Sequence, residues 1–174
     1  MKDAMLFDAV DEFFDSVENW ELMSKVIKHK GRRGGVSLRL LDFLCTVYAY
    51  REPCMVCTAD GSMVPLLEVY ETSLDAYGKS HYDCFRRTAR MTMEKHGERL
   101  HTTLGQLLFF KDIIKNGVLQ FADENKEDIK TAMCEQKTSR QAMSGVAATK
   151  KKTKQPVVFP VDQIEHIVPP VFSC

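Results

Sequence analysis

The sequence predicts an α+β fold: a predominantly helical single domain with one or two small β-hairpins and an extended C-terminal arm. Three observations carry that expectation. Apolar residues recur at helical spacing along most of the chain before residue 137. Two short stretches flank Asp60-Gly61 and Gly97, residue types that let a chain turn back on itself. After about residue 137 the composition changes to a basic run and then to apolar pairs set between prolines. The domain is therefore drawn at residues 1–136 and the arm at residues 137–174.

The elements follow in order. Leu6, Val10, Phe13 or Phe14, and Val17 are helically spaced among acids, which predicts an amphipathic helix over residues 3–17. Asn19 is placed to cap a second helix, with Leu22, Val26 and Ile27 inward and Lys25, Lys28 and Lys30 late, where the helix dipole favours cations. Gly31, Gly34 and Gly35 make the following "KHKGRRGG" a loop. Ser37 reads as an N-cap for "LRLLDFLCTVYAY", whose stripe is Leu40, Leu41, Leu44, Val47 and Tyr48, and Pro53 ends that helix.

"CMVCTADGSMVPLL" predicts a hairpin turning at residues 59–62. Val69 or Tyr70, Leu74 and Tyr77 predict a helix stopping at Gly78. "ARMTMEKHGERLHTT" alternates around Gly97 and predicts a second hairpin. Thr102 or Thr103 then caps "LGQLLFFKDIIKN", which is apolar almost all round and so expected to be deeply buried, with Gly117 as its C′ residue. "VLQFADENKEDIKTAM" is expected to continue as one more exposed helix.

Composition narrows the function classes. Lys plus Arg number 24 and Asp plus Glu number 24, so formal net charge is zero and bulk charge gives no argument for nucleic acid. The N-terminal stretch is acidic and periodic, without the uninterrupted apolar segment of a signal peptide, and no apolar run approaches a membrane span. A soluble, intracellular, unsecreted protein is expected. Its six cysteines are then expected as thiols or metal ligands more than as disulfides.

Cys54 and Cys57 form a C-x2-C pair, and His81 and Cys84 an H-x2-C pair. Zinc is commonly held by two such pairs in a tetrahedron, so one structural Cys3His zinc is the alternative to a protein without cofactor. The competing reading is small buried thiols on a strand beside an exposed histidine. Cys84 with His81, or Cys57 with His96 or His101, would be a nucleophilic dyad, but no third orienting residue accompanies either pairing. Phosphate-loop, dinucleotide, nucleophile-elbow and H-E-x-x-H motifs are absent from the sequence. No catalytic residue is assigned, and a non-enzyme is expected.

Three basic stretches offer candidate phosphate contacts: Lys30, Arg32 and Arg33; Arg86 and Arg87, with Phe85 and Arg90 in "FRRTAR"; and Lys150, Lys151 and Lys152. Each also reads as a solvated stretch balanced by the acidic N-terminal helix. In the arm, "PVVFP" and "VPPVF" set Val157, Val158, Phe159, Val168, Val171 and Phe172 among prolines. Proline pre-extends the chain, so such knots lose less entropy on docking into a partner's groove.

"SLRLLDFLCTVYAY", "YGKSHYDCFRRTARM" and "TTLGQLLFFKDIIKNGVLQF" together resemble a group of small, poorly characterised proteins of large nucleocytoplasmic DNA viruses, iridovirus-like members included. The resemblance covers roughly residues 37–122 and is most specific in "TTLGQLLFFKDIIKNGVL". The group's pattern reads more like "FDPFCR" where this chain has "YDCFRR", which puts Cys84 in place of a usual proline; Cys54 and Cys57 are not group features. The resemblance thus weighs against the zinc set and supplies no catalytic residues. It implies a viral setting and little chemistry; in that setting the absent catalytic motifs, zero net charge and proline-spaced arm lead us to expect a minor, capsid-associated structural component in the virion or host cytoplasm, with the arm docked on other virion proteins. The alternative is a nucleic-acid-binding regulator, possible with or without zinc.

Overall fold

The structure is a computed structural model that describes residues 2–29 and 35–147. Its helices are α1 (Lys2–Phe13), α2 (Val17–His29), α3 (Leu38–Phe43), α4 (Ala49–Arg51), α5 (Leu66–Tyr77), α6 (Leu104–Lys115), α7 (Val118–Glu124) and α8 (Lys126–Ala147). Two antiparallel hairpins complete it: β1 (Met55–Cys57) with β2 (Met63–Pro65), and β3 (Arg90–Lys95) with β4 (Glu98–Thr103). The fold is α+β and predominantly helical, with two small hairpins, as the periodicity and turn residues predict.

Helix α6 is the centre. Leu107, Leu108, Phe109, Phe110 and Ile113 are all buried, and the helix packs against α1, α2, α7 and β4. Burial of a large apolar side chain contributes about 1.5–3 kcal/mol, so this one segment supplies a large share of the apolar driving force. Thr103 caps it, its hydroxyl accepting from the Gln106 amide at 3.2 Å. At the other end Gly117 takes φ +70°, the left-handed conformation that ends a helix, and its α-carbon faces the Cys57 carbonyl. A β-carbon there would sit 2.0 Å from that oxygen. The first hairpin is thereby seated on the α6–α7 junction.

The acidic N-terminal segment breaks earlier than expected. Helix α1 stops at Phe13, Phe14 turns wholly into the core, and α2 begins at Val17 rather than behind an Asn19 cap. The Asn19 amide instead donates to the Phe13 carbonyl at 3.1 Å, satisfying a helix end. Trp20 and Met23 join Val26 in the core, while Leu22 and Ile27 are only half-buried. The Trp20 indole donates to Glu98 at 3.2 Å, and Lys28 and Lys95 reach Glu98 and Asp11 at 2.8 and 2.9 Å. These contacts fasten the tip of the second hairpin to the α1–α2 corner. That tip, His96-Gly97, has positive φ at both residues (53° and 75°), as a type I′ turn requires.

Ser37 caps α3, its hydroxyl accepting from the Leu40 amide at 3.2 Å. The helix continues to Arg51 through a widened π turn over Leu44–Tyr48, where the Thr46 hydroxyl donates to the Asp42 carbonyl at 2.7 Å. The first hairpin turns through Asp60-Gly61, as expected, and α5 stops at Gly78, φ +78°.

Two expectations need correction. The segment 118–133 is not one helix: Asn125 ends α7, its side-chain amide donating to the Phe121 carbonyl at 2.9 Å, and a new helix starts at Lys126. Nor does an arm begin at residue 137, because α8 runs through that point to Ala147. Residues 148–174 lie outside the described residues.

Replacing Gly117 with alanine is expected to cost at least about 2 kcal/mol, since it combines a left-handed backbone with a clash against main chain. Urea unfolding would measure it; an unchanged midpoint contradicts the seating of the hairpin on α6.

Candidate binding surfaces

The four residues of the zinc reading occupy separate environments. Cys54 is buried at the entry to β1, its thiol donating to the Glu52 carbonyl at 3.1 Å. Cys57 is exposed on the same strand. Cys84 is buried, its thiol 3.9 Å from a carboxylate oxygen of Asp42. His81 faces Asp3 at 3.2 Å. Among the described residues no group of three His, Cys, Asp or Glu side chains is arranged to hold a metal ion. The five described cysteines are free thiols.

The drawn dyads fare similarly. His96 lies against Trp20 and the Phe14 carbonyl, and His101 pairs with the Thr92 hydroxyl at 3.0 Å. Burial pushes the Cys45, Cys54 and Cys84 thiols up from their ordinary values, and for Cys84 the Asp42 and Asp83 carboxylates add to it. A thiol so placed stays protonated and is a poor nucleophile.

A different surface is assembled around "FRRTAR". The loop from Gly78 to Ala89 is pinned from beneath: Tyr82 is buried against Tyr77 and Phe109, Cys84 is buried, and Gln106 of α6 donates to the Cys84 carbonyl at 3.4 Å. Gly105 allows the close approach, since a β-carbon there would meet the Asp83 and His81 carbonyls at 3.0 and 3.1 Å. Held this way, the loop turns Phe85, Arg86, Arg87 and Arg90 outward around a hollow of about 260 Å³ floored by Thr102, Thr103 and Gln106. Arg86 is used within the loop, bonding the Thr88 hydroxyl at 2.8 Å and the Ser80 carbonyl.

A larger open groove, about 850 Å³, lies between α2 and the α6–α7 junction. Leu22, Val26, Val36, Ile114 and Leu119 give it an apolar floor, and Glu18, Asp123 and Glu124 give it an acidic rim facing Lys25. Sequence reasoning found the arginine loop but not this groove. Its residues come from three distant segments, and no local signal joins them.

Asp112 also escaped the sequence. It is buried on α6 with one carboxylate oxygen, Oδ2, lacking any hydrogen-bond partner among the described residues. Burial pushes its carboxyl up from the ordinary value, with the Ser73 and Tyr82 hydroxyls opposing. Asp42 is pushed the same way, by burial and then by Asp83.

Of the other candidate phosphate contacts, Lys30, Arg32, Arg33, Lys150, Lys151 and Lys152 lie outside the described residues, as do the arm residues Val157, Val158, Phe159, Val168, Val171 and Phe172. No helix among the described residues is long and apolar enough to cross a membrane.

Fold and surfaces define a small, mainly helical α+β protein with two β-hairpins around one buried helix. The chain belongs to the family described as a family of unknown function, DUF7197, whose model matches residues 1–163. No curated protein and no solved structure matches it.

A raised carboxyl favours the fold while protonated and loses that advantage as pH climbs through the raised value. Over the pH range that starts at the ordinary aspartate value and runs up to the raised one, Asp112→Asn is therefore expected to gain stability over the parent progressively. Paired thermal melts across that range would show a widening gap; a constant gap contradicts the burial argument.

Proposed function

We propose that this is a non-enzymatic interaction protein, a minor capsid-associated component of a large DNA virus particle whose C-terminal arm docks on a neighbouring protein. The observation that carries this reading is the course of α8. Its first turns are held in the domain by Ile129, wholly buried, and by Ala132 and Met133 packed on the core. From Cys134 to Ser139 the side chains are exposed apart from a half-buried Gln136, yet the helix runs on to Ala147.

Fourteen residues of helix beyond Met133 span about 21 Å. A helical stretch that is exposed and polar over most of Cys134 to Ser139 is suited to bridging between bodies. The sequence that follows it has a basic run and proline-spaced Val and Phe pairs, the composition of a docking segment. The viral setting comes from the resemblance in residues 37–122, and the placement in the virion rests on it.

Deleting residues 138–174 removes none of the core residues among those described. The shortened chain is expected to keep its helical circular dichroism and cooperative melt but to be lost from assembled particles. Normal incorporation of the folded, shortened chain would contradict the proposal.

A further inference from the structure

We infer that the hollow beside Phe85, Arg87 and Arg90 is a binding site for single-stranded nucleic acid, with the arginines on backbone phosphates and Phe85 stacked under a base. The inference does not rest on docking of the C-terminal arm.

Three observations converge. The first is unspent positive charge. Among the described residues neither the Arg87 nor the Arg90 side chain has an ion-pair or hydrogen-bond partner; Arg39, Arg51 and Lys115 are equally unpaired, but Arg87 and Arg90 stand together on the rim of one hollow. Asp83, four residues before Arg87, is turned to the loop backbone, accepting from the Phe85 amide at 2.9 Å, and Glu94, four residues after Arg90, pairs with Arg99 at 2.8 Å. Guanidinium groups left in water at the edge of a hollow suit a phosphate oxygen pair geometrically as well as electrostatically.

The second is Phe85 itself. It is 46% exposed, on a loop pinned by Tyr82, Cys84 and Gln106, while the other described phenylalanines are either buried in the core or half-buried against it. A flat apolar ring fixed between cations is the arrangement on which bases stack, and it tolerates any base because each has a π-face. An acidic peptide would satisfy the arginines but offers nothing flat for Phe85.

The third is backbone strain. Ala89, between the two arginines, holds φ +53°, a left-handed conformation uncommon outside glycine, asparagine and aspartate. Strain of this kind persists where surrounding structure fixes it, and it gathers at ligand sites. Here it delivers Arg90 into β3 while Arg87 stays on the loop. His101 completes the rim from β4, with Nδ1 engaged by Thr92. The hollow has a volume of about 260 Å³.

The test uses the full chain and fluorescence anisotropy with labelled oligodeoxythymidylate, oligouridylate and polyglutamate at about 50 mM salt and above. The two oligonucleotides distinguish DNA from RNA as the source of the strand. Binding to at least one is expected. Phe85→Ala should weaken it about tenfold and Phe85→Trp should preserve it. Arg87→Ala with Arg90→Ala should make the log–log salt slope shallower by about 1.4. All these side chains are exposed, so unchanged thermal melts certify the variants. Absence of oligonucleotide binding overturns the inference, as does binding of polyglutamate alone. It is equally overturned if binding survives the Phe85 and arginine substitutions and is lost on replacing Lys150, Lys151 and Lys152 with alanine.

Discussion

Burial of α6 on nearly every side is the constraint from which the rest of this molecule follows. A helix of twelve residues with five large apolar side chains fully enclosed needs a neighbour in each direction. The chain supplies them from α1, α2, α7 and β4. Each end of α6 is then closed by something specific: Thr103 and the loop over Gly105 at the start, Gly117 against the Cys57 carbonyl at the finish. The hairpins have too few strands to stand alone, and both owe their position to this helix.

The same constraint distributes the exposed surfaces. Gln106, near the start of α6, floors the arginine hollow, and Ile114, near its end, floors the acidic-rimmed groove. Eight residues separate them, about 12 Å along the axis. A chain with zero formal net charge thus presents opposite characters at the two ends of one helix, which bulk charge conceals. Helix α8 adds a third feature by leaving the core after Met133. Surfaces, rather than an enclosed pocket with converging acids and bases, are what the described residues offer.

What could be read from the sequence was what local chemistry decides. Ser37, Thr103, Gly97 and Gly117 each act within a few residues of themselves, and each does what its type predicts. The all-round apolar character of α6 needed no partner to be recognised. What escaped depends on distant groups. Trp20 is core because Phe14, His96 and Glu98 surround it. Asn125 breaks a continuous helical pattern by taking a carbonyl with its side chain, an outcome periodicity does not register. The C-x2-C and H-x2-C spacings were legible, but spacing says nothing of where α5 carries the second pair, and among the described residues no three such side chains are arranged to hold a metal ion. Residues 137–147 lack an apolar stripe and so read as arm; the helix there is an extension of one nucleated by Ile129 on the core.

Native-state amide hydrogen exchange tests the central claim most directly. The account predicts that the amides of Leu107–Ile113 are the slowest to exchange, opening only with global unfolding, while those of α8 beyond Met133 exchange far faster. If α6 instead exchanged ahead of α5 or the second hairpin, α6 would not be the element on which the fold depends.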